Sequence, residues 1–134
     1  MRRVLLSICF LLSCLGIARG KALHIYFVDV EGGQATLIVA PSGESLLIDA
    51  GWPGFEGRDA ARIVAAARTA GLKRLDYVLV THYHMDHVGG VPQLAEKIPV
   101  GTFIDHGPSV ESGERAEAYS RPIAPSWRKL ATWW

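Results

Sequence analysis

The chain has 134 residues, a formal net charge of +1, 49% apolar residues and 20% charged residues. These values fit one globular domain and exclude a disordered tail, a collagen-like chain and a basic nucleic-acid arm. Met1-Arg2-Arg3 precedes an apolar run from Val4 to Ala18, and its 15 residues fall short of the ~20 that span a bilayer as a helix. Two arginines, a short apolar core and small residues at Ala18 and Gly20 predict an export signal at residues 1–20, cleaved before Lys21. Cleavage there removes Arg2, Arg3 and Arg19, leaving 114 residues with 11 basic and 13 acidic side chains, a net charge of −2. The alternative is a lipoprotein box at Leu11-Leu12-Ser13-Cys14, with lipid on Cys14, although Leu12 suits such a box poorly. Both cysteines, Cys9 and Cys14, lie inside the signal, so a disulfide, a cysteine nucleophile and a cysteine-ligated metal are not expected in the mature domain.

Leu23 to Val30 is rich in β-formers and is followed by Gly32-Gly33, which predicts a strand. Ala35 to Ala40 and Ser45 to Asp49 flank the turn Pro41-Ser42-Gly43-Glu44 and predict an antiparallel hairpin. Gly51 to Gly57 holds three glycines and a proline and reads as a loop. Asp59 to Ala70 follows as an amphipathic helix closed by Gly71, with Ile63, Ala67 and Ala70 on one face and Arg58 and Arg62 on another. Leu75 to Thr81 is almost continuously apolar, the pattern of a strand covered on both faces. Strand, helix and strand with short links predict a βαβ unit. Val91 to Ile98 predicts a short helix with Pro92 in its first turn, and Val100 to Ile104 a further strand. The fold class is α/β, with one domain over 21–110. The segment 111–134 reads as irregular beyond a helical stretch at 111–119.

Chemistry concentrates where the apolar strand ends. His82, His84, Asp86 and His87 supply four potential ligands in six positions, followed by Gly89-Gly90. In extended backbone, residues two apart project to one side, so His82 and His84 can grip a single cation. A turn after His84 lets Asp86 and His87 face a second one. Imidazole and carboxylate suit Zn2+, and also iron or manganese, while soft-metal sites need the thiolates this domain lacks. Ligand sites in open α/β sheets lie beyond the carboxyl ends of strands, where this cluster sits. His24, on the first strand, and His106, at the end of the last, read as structural polar residues.

Thr81-His82-Tyr83-His84-Met85-Asp86-His87 resembles the H-x-H-x-D-H signature of metallo-β-lactamase-fold hydrolases. Leu47-Ile48-Asp49-Ala50-Gly51 resembles their strand-plus-aspartate motif. Asp29 to Leu37 resembles the opening of the competence-protein branch, with Glu31 and Gln34 where that branch has glycine and aspartate. The resemblance covers Leu23 to Ile104, the first half of an αββα sandwich. It implies a first metal site at His82 and His84, a second at Asp86 and His87, and a supporting role for Asp49. Further ligands come from the second half of that fold, and His106 arrives too early to be one of them.

The resemblance implies a metal-dependent hydrolase in which a metal lowers the pKa of its water from 15.7 to about 7. Asp86 would ligate the metal and orient or deprotonate the water. Substrates of the fold include lactams, thioesters, lactones and phosphodiesters, so the family names no single one. The alternative is an inactive fragment or a non-catalytic binding module of the same fold, since four ligands underfill two coordination spheres. Nucleic acid is not an expected partner, because the mature chain is slightly acidic and has no basic stripe. If half a sandwich stands alone, Leu37, Val39, Leu47 and Val80 are expected to lose cover.

Overall fold

Five short strands form one mixed sheet in the order β1-β2-β3-β4-β5: β1 His24–Phe27, β2 Thr36–Val39, β3 Ser45–Ile48, β4 Leu75–Leu79 and β5 Val100–Ile104. This is a computed structural model, and it describes residues 22–107. The predicted signal at 1–20 with Cys9 and Cys14, and the segment 111–134 with its expected helix, lie outside the described residues. The first three strands pair antiparallel, so the predicted hairpin is present. β3, β4 and β5 pair parallel. The crossover from β3 to β4 runs through a 3-10 turn at Phe55–Gly57 and helix α1, Arg58–Thr69. Helices α2, Met85–Val88, and α3, Val91–Lys97, link β4 to β5.

Helix α1 forms where alanine and branched apolar residues recur at helical spacing, and it buries Ala60, Ile63, Val64 and Ala67. It stops at Ala70, where Gly71 takes φ +79 and donates its N–H to Arg68 O while Leu72 N–H reaches Ala67 O. Glycine adopts that left-handed turn without a Cβ penalty. Leu37, Leu47 and Val78 stand in register across β2, β3 and β4 and are fully buried in one cluster with Ile63, Ala67, Val91 and Leu94. Burying a leucine, valine or isoleucine side chain contributes about 1.5–3 kcal/mol, so this layer dominates the stability of the described part.

The sheet presents its other face differently from expectation. Leu37, Val39, Leu47 and Val80 are all buried, on the helix side or at the strand end. The residues with incomplete cover are their alternates. Phe27, Ile48, Leu79 and Ile104 lie in one cross-strand row, and Ile25, Ile38, Leu46 and Tyr77 in the next. Ile25, Phe27 and Tyr77 are exposed among the described residues. Accordingly β4 is covered along its length on one face only: Val78 is enclosed on the helix side, while on the other face Leu75 is buried at the strand's start and Tyr77 is open. Period-two alternation defines the two residue sets, but helix packing decides which set is covered. No helix among the described residues is long and apolar enough to cross a membrane.

Candidate metal centre

β4 carries the chain to Leu79, and the motif begins two residues later at the carboxyl edge of the sheet. His84 is extended, with φ −68 and ψ 148, and the chain then enters α2 at Met85. The turn brings His82, His84 and His87 together. The His82 ring centroid lies 4.5 Å from His84 and 4.0 Å from His87. His82 Nε2 and His84 Nδ1 are 2.9 Å apart, and His87 Nε2 lies 3.6 Å from Asp86 Oδ2.

Asp49 sits beneath this cluster with its side chain buried. One carboxylate oxygen accepts the Thr81 N–H at 2.8 Å. The other accepts from Thr81 Oγ1 and from His87 Nδ1, each at 2.8 Å. A carboxylate only accepts, so His87 must carry its proton on Nδ1, which leaves the Nε2 lone pair facing Asp86. Three further backbone bonds set the pose of α2 and of the turn that follows it. Ala50 N–H donates to His87 O, Gln34 N–H to Asp86 O, and Gly90 N–H to Gly51 O. Gly90 packs so closely on Ala50 O that a Cβ there would collide with backbone.

The donor set suits a divalent cation of zinc type. Two ligands each about 2.1 Å from a tetrahedral ion stand about 3.4 Å apart, close to the spacing of His87 Nε2 and Asp86 Oδ2. His82 and His84 instead contact each other through nitrogen, and among the described residues no three such groups converge on one point. His106 is exposed beside Tyr83, at 4.8 Å between ring centroids, and His24 is exposed beside Tyr26 at 6.3 Å.

Burial, followed by the charges of His87 and His84, pushes His82 below the ordinary value of 6.5, against the opposing pull of Asp49 and Asp86. The neutral ring is the form that binds metal. In the window just below 6.5 the unfolded chain therefore binds more protons than the folded one. Stability of the metal-free chain should rise with pH across that window, and His82→Asn should flatten the slope. Thermal melts at several pH values in chelator check this, and equal slopes in the two proteins would refute it.

The family model for the metallo-beta-lactamase superfamily matches residues 28–132. This chain belongs to the metallo-beta-lactamase superfamily. It is similar to the atrochrysone carboxyl ACP thioesterase of Aspergillus fumigatus, with 41% identity over 68 residues, covering 50% of this chain and 20% of that protein. It is also similar to the hydroxyacylglutathione hydrolase of Stenotrophomonas maltophilia, with 33% identity over 93 residues, covering 63% of this chain and 33% of the relative. Among solved structures it resembles the metallo-beta-lactamase SMB-1 in complex with mercaptoacetic acid. That match has TM-score 0.52 and 26% identity, covering 64% of this chain and 32% of the other. The chain thus spans a third or less of the length of these superfamily members, and its α/β sheet has the superfamily fold.

Proposed function

We propose that this chain carries the metal-ligating part of an exported, metal-dependent hydrolase. The observation that supports it most is the Asp49–His87 bond beneath the H-x-H-x-D-H cluster, which fixes an imidazole in its metal-binding tautomer. His82 and His84 would hold one cation, and Asp86 and His87 would hold or share a second. Zn2+ fits the donors best, with iron or manganese as substitutes. A cation bound there supplies Lewis acidity and a water of lowered pKa. Asp86, half-buried at the mouth of the cluster, is the group that accepts a proton from the attacking water. Thr81 and Asp49 hold the ligand segment against the end of β4. The names of the thioesterase and hydroxyacylglutathione hydrolase relatives support an ester or thioester as the substrate to test first. Export rests on the 1–20 segment, and intact mass of the secreted protein should start at Lys21. A product retaining Met1 would refute it, and a diacylated Cys14 would replace it with the lipoprotein reading.

Metal analysis after dialysis tests the core of the proposal. The expected result is cation uptake that dialysis depletes below one per chain, because four donors do not fill two spheres of about four positions each. Asp86→Asn should depress hydrolysis of a thioester by the whole enzyme more than it depresses cation uptake at His82 and His84. A folded chain that takes up no Zn2+ or Co2+ would make the non-catalytic module the better reading.

A further inference from the structure

The stretch from Asp49 to Gly57 is dense in left-handed backbone. Asp49 has φ +60, Gly51 +69, Gly54 +81, Phe55 +45, Glu56 +54 and Gly57 +76. Residues without a glycine's freedom adopt such values only where surrounding contacts hold them. Asp59 supplies such a contact. Its side chain is fully buried in the first turn of α1, away from the histidine cluster. Oδ2 accepts the Trp52 N–H at 2.9 Å, and Oδ1 accepts from Arg58 Nε at 2.7 Å. The carboxylate also packs on Gly51, where a Cβ would come within 2.6 Å of Oδ2. Arg58 extends the link to Glu31 at 2.8 Å, and Arg62 joins Glu31 at 3.2 Å and Asp29 O at 2.9 Å.

Each of these segments also contacts α2. The turn at 49–52 holds His87 through Asp49 Oδ2 and the Ala50 N–H, and it receives the Gly90 N–H on Gly51 O. The segment 29–34 holds Asp86 O through the Gln34 N–H and accepts the Gly51 N–H on Gln34 O. We infer that Asp59 is a positioning residue for His87, fastening the 49–52 turn so that Asp49 keeps the imidazole proton on Nδ1 and Nε2 free. Arg58 serves it by neutralising the buried carboxylate and tying the 29–34 segment to the same point. The role for His87 as a ligand rests on the proposed function, whereas the effect on its tautomer does not.

Nitrogen-15 NMR of histidine in the metal-free full chain reads that tautomer. Wild type should show His87 as the Nδ1–H form. In Asp59→Ala the Trp52 N–H loses its acceptor, and His87 should move to the mixed tautomers of an unrestrained imidazole while circular dichroism still reports a folded chain. Asp59→Asn keeps an acceptor for Trp52 and should preserve the Nδ1–H form. In Co2+ titrations of chains that bind the ion, Asp59→Ala should weaken binding about 10-fold and Asp59→Asn much less, the scale seen when partners of metal ligands are removed. A folded Asp59→Ala chain with His87 still uniformly Nδ1–H overturns the inference. If that variant does not fold, Asp59→Ser takes its place with the same expectation, and failure of both to fold means that Asp59 serves the fold alone and also overturns it. A wild type that ignores Co2+ refutes the metal-centre proposal, but the tautomer result still decides this one.

Discussion

If the proposed function holds, His84→Ala is expected to raise the Kd for Co2+ by about 100-fold or more and to abolish hydrolysis. Structural zinc sites gain about 10–16 kcal/mol from four ligands, so one ligand contributes about 3 kcal/mol, and about 1.4 kcal/mol is tenfold. The fold should survive, because His84 is exposed and surface substitutions cost about 0.5 kcal/mol or less. Its nitrogen contact with His82 at 2.9 Å is lost, but neither ring depends on it for burial. Isothermal or spectroscopic titration with Co2+, alongside a thermal melt of the metal-free chain, separates the two effects. Unchanged Co2+ affinity would remove His84 from the ligand set.

Asp49→Ala should be the more destructive change for the fold. The buried carboxylate receives three hydrogen bonds from Thr81 and His87, and deletion strands the Thr81 N–H at the end of β4. Leaving buried partners of a charged group unpaired costs about 3–5 kcal/mol. Alanine also tolerates φ +60 less well than aspartate, adding about 1 kcal/mol. Against a domain stability of about 5–15 kcal/mol, the urea midpoint should fall by a third or more. Asp49→Asn makes a sharper test of function. Its amide oxygen can still accept the Thr81 N–H, and asparagine tolerates the left-handed backbone. The amide nitrogen then faces His87, which must accept on Nδ1 and carry its proton on the nitrogen meant for metal. This variant should fold and lose Co2+ affinity, and wild-type affinity in it would refute the assigned role.

The fold was legible where the signal is local. The segment Val100 to Ile104 reads as a strand and forms one with those boundaries, and Gly71 correctly marks the end of the first helix. The overlong strands are equally instructive. Leu23 to Val30 shortens to His24–Phe27 because Asp29 folds back on the Glu31 N–H, and Glu31 turns left-handed at φ +58. Leu75 to Thr81 shortens because the Thr81 N–H pairs with a side chain of Asp49 instead of a neighbouring strand. The sequence shows Asp59 only as the start of a helix. Its contacts with Trp52 and Gly51 cross an irregular loop, and an acidic residue early in a helix is ordinary.

Spacing alone therefore determined the five strands, helices α1 and α3, and the crowding of His82, His84, Asp86 and His87 at the end of β4, but not the short helix α2 or the 3-10 turn. Those features follow from periods of two and 3.6 residues and from neighbours in sequence. Tertiary structure decided which sheet face the helices cover, because alternation leaves two equivalent choices until α1 and α3 pack on one of them. It also decided the hydrogen bonds that aim the side chains of this cluster. Asp49 meets Thr81 across 32 residues and His87 across 38, and such pairs arise only when the closed crossover brings their elements together.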